Sequence, residues 1–235
     1  MAQIWKVRLP DGRTVRPTEW SSTPLWSTVE IGAGAQTPLF AFSYGRGGAV
    51  PGSVGPRNST LVDTNMRGDG DIIPENEELL IYSIMAETFA IATNVANFFT
   101  GNDPGCPDPP LVGLRNLLRF QRDVNLELRI AEVKNYYDHP VGFFPASMGT
   151  NLYLGAARSA GSAFANSMLV GTNGSTSSFD NRRVATPHQV QPGEAFSVSF
   201  NFPFGQITNL NFGADANARL RVRVYADGYR RRPVA

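Results

Sequence analysis

Near the end of this 235-residue chain, Arg219, Arg221 and Arg223 fall two apart, with Leu220, Val222 and Val224 in the gaps between them. Side chains alternate across a β-strand, so this spacing sorts the segment into two unlike faces. The apolar face can enter a core. The other face carries guanidinium groups that no core accepts unpaired, so it must meet water, carboxylates or phosphates. No comparably sharp signal for catalysis occurs elsewhere, and the chain reads as a β-built binding or assembly protein rather than an enzyme.

Other segments repeat the period of two. Leu126, Leu128, Ile130 and Val133 alternate with Glu127, Arg129 and Glu132, and Phe196, Val198 and Phe200 alternate with Ser197, Ser199 and Asn201. The expected core therefore includes Leu128, Ile130, Phe196, Val198, Phe200, Leu220, Val222 and Val224. Ile4–Leu9, Leu25–Ile31 and Pro38–Tyr44 read as shorter apolar runs, and Pro10-Asp11-Gly12 and Gln191-Pro192-Gly193-Glu194 as turns. Glu77–Ile91 is the longest apolar segment; it keeps neither period cleanly, and a buried strand to about Met85 is expected, with a helix as competitor. Leu111–Phe120 has helical leucine spacing. Pro140–Pro145 reads as a short strand or tight crossing, and Gly149–Ser178 as long loops ordered against neighbours. With 23 Gly and 17 Pro, the class is all-β and turn-rich rather than a helical bundle.

The formal net charge is only +1, which gives no global drive toward nucleic acid or membrane. Local charge is more telling. Of the 21 basic residues only Lys6 and Lys134 are lysine, a bias that suits bidentate pairing with carboxylate or phosphate. Acidic residues gather between Asp63 and Glu87, whereas arginine is dense before Arg16 and after Arg219. Arg230, Arg231 and Arg232 bring the guanidiniums to six in the final strand and its tail. Contact between these arginines and the acidic stretch, Asp63, Asp69 and Asp71 included, on an adjacent subunit is the expected use, with nucleic acid or membrane head groups as the other partners.

Chemistry of other kinds finds little footing. His139 and His188 each adjoin a proline, no His-x-x-x-His or Cys-x-x-Cys spacing exists, and the single Cys106 excludes an internal disulfide framework. No Gly-x-Ser-x-Gly elbow is present. Asp63, Asp69 and Asp71, with Asn65 and Asn76, form an oxygen-rich loop, but not at the spacing of a helix-flanked calcium loop. The expectation is thus no catalytic residue, no cofactor, no metal and no small-molecule substrate. No apolar run suggests a signal peptide or reaches the roughly 20 residues needed to cross a bilayer, so synthesis and folding in a cytoplasm are expected.

The order of the pieces carries a resemblance. Ile73-Pro74-Glu75 precedes a long strand, Leu126–Tyr137 closes on aromatics and Pro140, and Phe144-Pro145-Ala146 follows. Pro192-Gly193-Glu194-Ala195-Phe196 and a strand ending Tyr225-Ala226-Asp227-Gly228-Tyr229-Arg230 complete the series. Over residues 60 to 232 this resembles the jelly-roll capsid proteins of tailless icosahedral bacteriophages. The resemblance implies a jelly-roll β-sandwich, a single roll with elaborated loops ahead of a compact double roll, over residues 61–235. Residues 1–60 would form an N-terminal arm with short strands. It also implies a virion subunit whose partners are copies of itself and other capsid proteins.

A carbohydrate- or receptor-binding β-sandwich of a phage particle is the rival. It would use Trp5, Trp20 or Trp26 as a stacking platform.

Overall fold

The alternating segments do form strands, and the strands form two stacked antiparallel sheets. The computed structural model describes residues 7–9, 12–15, 20–32, 34–35, 38–53, 57–67, 70–91, 119–131, 134–144, 151–156, 167–172, 183–203, 206–207 and 219–232. In chain order the strands are β1 (Val7–Arg8), β2 (Thr14–Val15), β3 (Trp20–Ser21), β4 (Leu25–Ile31), β5 (Gly34–Ala35), β6 (Leu39–Ala41) and β7 (Glu78–Ile91). They continue as β8 (Asn125–Ile130), β9 (Lys134–Pro140), β10 (Asn151–Ala156), β11 (Ser167–Thr172), β12 (Arg183–Val190), β13 (Phe196–Asn201), β14 (Gln206–Ile207) and β15 (Arg219–Arg231).

One sheet runs β12-β7-β15, and β15 pairs on its other side with β4 and, at its end, with β3. The other sheet runs β6-β13-β8-β9. Leu126, Leu128 and Ile130 of β8 and Phe196, Val198 and Phe200 of β13 are buried, as are Leu220, Val222 and Val224 of β15. These residues share one core with Leu25, Val29 and Ile31 of β4 and Ile81, Ile84 and Ala86 of β7. Burial of apolar side chains from both inner faces is what holds the sheets together.

The weak periodicity of Glu77–Ile91 has a cause. The segment is one strand of 14 residues, and it carries a bulge. Asp227 of β15 pairs with Ser83 and Gly228 with Ile81, so the register skips Tyr82. Before the bulge the odd residues Leu79 and Ile81 face the core; after it the even residues Ile84 and Ala86 do. One extra residue reverses the alternation. Gly228 is required there, because a Cβ on it would lie 1.7 Å from the Leu80 carbonyl oxygen.

Several expectations need correction. Gly149–Ser178 is not all loop: β10 and β11 pair antiparallel, with Tyr153 opposite Val170 and Leu154 opposite Leu169. Its few large residues come in two short runs, and such runs can pair across a sheet. Val141–Phe143 is a single 3₁₀ turn rather than a strand. Strand β12 was not foreseen; it contains Pro187 and lies at the edge of its sheet, where a missing N–H is tolerated. Residues 119–123 are helical, while the rest of the expected Leu111–Phe120 helix lies outside the described residues. The first sixty residues supply more than an arm, since β4 and β6 are strands of the two sheets.

Candidate interaction surface

The arginine stripe of β15 lies on the side of its sheet away from the core, and the chain supplies partners for it. On β4, Leu25, Ser27, Val29 and Ile31 face inward, so Trp26, Thr28 and Glu30 stand on the arginine side, opposite Tyr225, Arg223 and Arg221. Arg221 Nη2 donates to Glu30 Oε1 at 2.9 Å. The same oxygen accepts from Arg57 Nη2 at 2.8 Å, and Arg57 closes a two-pronged pair on Asp63 at 2.9 and 2.8 Å. Two guanidiniums and two carboxylates thus form a chain of charge-assisted hydrogen bonds.

Asp63 is buried, and it also accepts from the Thr60 N–H at 2.9 Å and the Thr60 hydroxyl at 3.1 Å. Burial pushes its carboxyl pKa up, but the Arg57 and Thr60 hydrogen bonds outweigh burial and hold it down at about 2. The Asp63 hydrogen bond in turn raises Arg57 above the ordinary guanidinium value against its burial. Farther along, Arg223 donates to the Val62 carbonyl at 2.9 Å and Tyr225 donates to Glu87 Oε2 at 2.9 Å.

The loop that brings Arg57 and Asp63 here also closes the free edge of β4. The Trp26 N–H donates to Asn65 Oδ1 at 2.8 Å, the Glu30 N–H donates to the Pro51 carbonyl at 2.9 Å, and the Tyr44 hydroxyl bridges the N–H and carbonyl of Thr28. Burial raises the Tyr44 pKa, which keeps the proton it donates. Two side chains at the tip of this loop stay in water: Leu61 is 52% exposed and Val62 62%. Their backbone is nevertheless fixed, since the Trp26 indole N–H donates to the Leu61 carbonyl at 3.1 Å and Arg223 holds that of Val62. A rigid turn therefore presents an apolar tip.

The far end of β15 differs. Even positions on this strand face the core, and Arg230 occupies one of them: it is 1% exposed and donates from Nε to Glu77 Oε2 at 2.5 Å. Its Nη2 pairs with the same oxygen. Burial lowers the Arg230 pKa, Glu77 raises it, and Arg232 and Arg67 lower it further. Arg231 lies on the opposite side, 3.8 Å from Glu78, which also accepts from Arg13 at 2.9 Å and from Gln189.

Of the residues singled out from sequence, Arg221, Arg230, Arg231 and Asp63 form ion pairs, and each partner belongs to the same chain. The Arg219 backbone pairs in β15 with Ile91. Arg232 follows the strand's end. The Asp71 carbonyl accepts from the Phe196 N–H at 2.7 Å, fastening that loop to β13. Asp69 and Trp5 lie outside the described residues. Among the described residues no group of three His, Cys, Asp or Glu side chains gathers to hold a metal. Glu30, Arg57 and Glu77 were missed. Glu30 was legible, since its place in the Leu25–Ile31 alternation sets it on the outward side; Arg57 sits in a Gly/Pro-rich loop with no periodic signal.

Compared with known proteins, the chain matches no family model, no curated sequence and no solved structure.

Proposed function

We propose that the two sheets are a single jelly roll and that the chain is a structural virion protein, a capsid subunit that assembles with its own copies into an icosahedral shell. The observation that carries this reading is the pairing among the eight strands of the two main sheets, leaving aside short β3. The first, β4, pairs with the last, β15; the second, β6, with the next to last, β13; β7 pairs with β12, and β8 with β9. A long double-stranded hairpin rolled up on itself pairs its strands in this order, and rolling it yields the two Greek keys of a jelly roll. That architecture also hosts lectins and cupins, so it does not by itself select a function. The resemblance in the order of segments to bacteriophage capsid proteins favours the shell.

Within the β15 stripe Arg221 has its acidic partner, Glu30, in its own chain and Arg223 is held by the Val62 carbonyl, which turns attention for subunit contacts to the apolar tip at Leu61 and Val62. A sugar-binding platform has less support. The Trp26 indole N–H is committed to Leu61, and Trp20 lies against the Arg13 guanidinium, 5.4 Å from its ring centre.

Mass photometry and negative-stain microscopy of the purified chain, across concentration and ionic strength, test the proposal. Closed particles or large defined oligomers are expected. The double variant Leu61→Asp, Val62→Asp should disperse them without lowering the unfolding temperature, because neither side chain is in the core. A strict monomer under every condition, or glycan-array binding by that monomer, would overturn the proposal.

A further inference from the structure

We infer that the far end of β15 is an oxyanion site, in which Arg230 and Arg232 receive a phosphate- or carboxylate-type group. The inference does not depend on assembly. Arg230 uses Nε and Nη2 on Glu77, but its Nη1 is buried and has no hydrogen-bond partner. The Nε of Arg232 is in the same condition. Donors on charged groups are almost always satisfied inside proteins, and leaving one unmade is costly. Arg230 faces the core side of β15, and period two returns Arg232 to that side just past the strand's end.

The charge balance points the same way. Arg13, Arg230, Arg231 and Arg232 gather at this end, and among the described residues the carboxylates in ion pairs there are Glu77 and Glu78. Arg232 takes part in no ion pair among the described residues. A water molecule could complete the hydrogen bonds of Arg230 and Arg232, but it would leave like charges facing one another. An anion completes the bonds and cancels the repulsion together. Because Nη1 of Arg230 and Nε of Arg232 are both covered, an anion reaches them only as neighbouring side chains shift, which limits it to a small group such as inorganic phosphate or a side-chain carboxylate.

The test uses the full chain in chloride buffer at fixed ionic strength, titrated with inorganic phosphate in one arm and acetate in the other. Calorimetry and thermal unfolding are the readouts. Arg230→Ala would strand Glu77 and confuse folding with binding, so Arg232→Ala is the variant. At least one anion should bind and raise the unfolding temperature of the wild type. Arg232→Ala should weaken that binding about tenfold, the loss of one charge-assisted hydrogen bond. In chloride alone Arg232→Ala should be no less stable than the wild type, since it removes an unpaired like charge. The arm that responds names the anion. Silence in both arms, or equal responses in the wild type and Arg232→Ala, overturns the site.

Discussion

The two ends of β15 carry arginine in opposite ways. Arg221 stands at an outward position with its side chain 20% exposed and a carboxylate from β4 beside it. Arg230 stands at an inward position, in line with Leu220, Val222 and Val224, and is covered by the protein with Glu77 as its ion-pair partner. The outward charge keeps part of its hydration and asks little of its partner. The inward charge has exchanged water for one carboxylate, so its stability rests on that single contact. Arginines nine residues apart on one strand, and so on its opposite faces, thus differ in how much breaking a pair should cost.

The largest contrast should come from Glu77→Ala. It leaves a buried guanidinium without its carboxylate and should lower unfolding stability by about 3–5 kcal/mol in urea titrations. A loss as small as that of an exposed pair would erase the distinction between the two ends. Next is acid sensitivity. The Asp63 carboxyl is held at about 2, below its ordinary 3.8. Its contribution is therefore complete above pH 3.8 and disappears as pH falls through about 2, a span worth about 2 kcal/mol. Asp63→Asn should flatten that limb of a stability–pH curve, and an unchanged limb would show that the Arg57 contact is not the source. The smallest effect belongs to Arg221→Ala, expected to cost about 0.5–1 kcal/mol because Arg57 still holds Glu30. Arg122, paired with its neighbour Asp123 on the open surface, serves as the reference: Arg122→Ala should leave the denaturation midpoint unchanged.

Much of the sandwich was legible because its strands bury alternate residues. Leu126 to Ile130, Phe196 to Phe200 and Leu220 to Val224 could each be assigned an inner face from spacing alone. Glu77–Ile91 resisted because the bulge at Tyr82 reverses its parity midway, and no rule of fixed period survives such an insertion. Arg230 could have been placed by counting in twos from Leu220, but the run Arg230-Arg231-Arg232 reads as a solvated tail until β7 and β3 are seen to flank it. Which charges pair was beyond reach for another reason. Arg221 and Glu30 lie 191 residues apart and meet only because the first and last strands of the two sheets are neighbours. Topology, not local pattern, brings them together.

The Tyr44 hydroxyl, lodged against Thr28, has a consequence for how copies of this molecule can meet. Exposed strand margins invite further strands to join, which is the route to ribbons and fibrils without a natural end. Along β4 that route is stoppered, because a phenol, an amide and a proline carbonyl occupy the places an incoming backbone would take. Neighbours there must dock against side chains, and docking of that kind fixes angles and lets a multimer close.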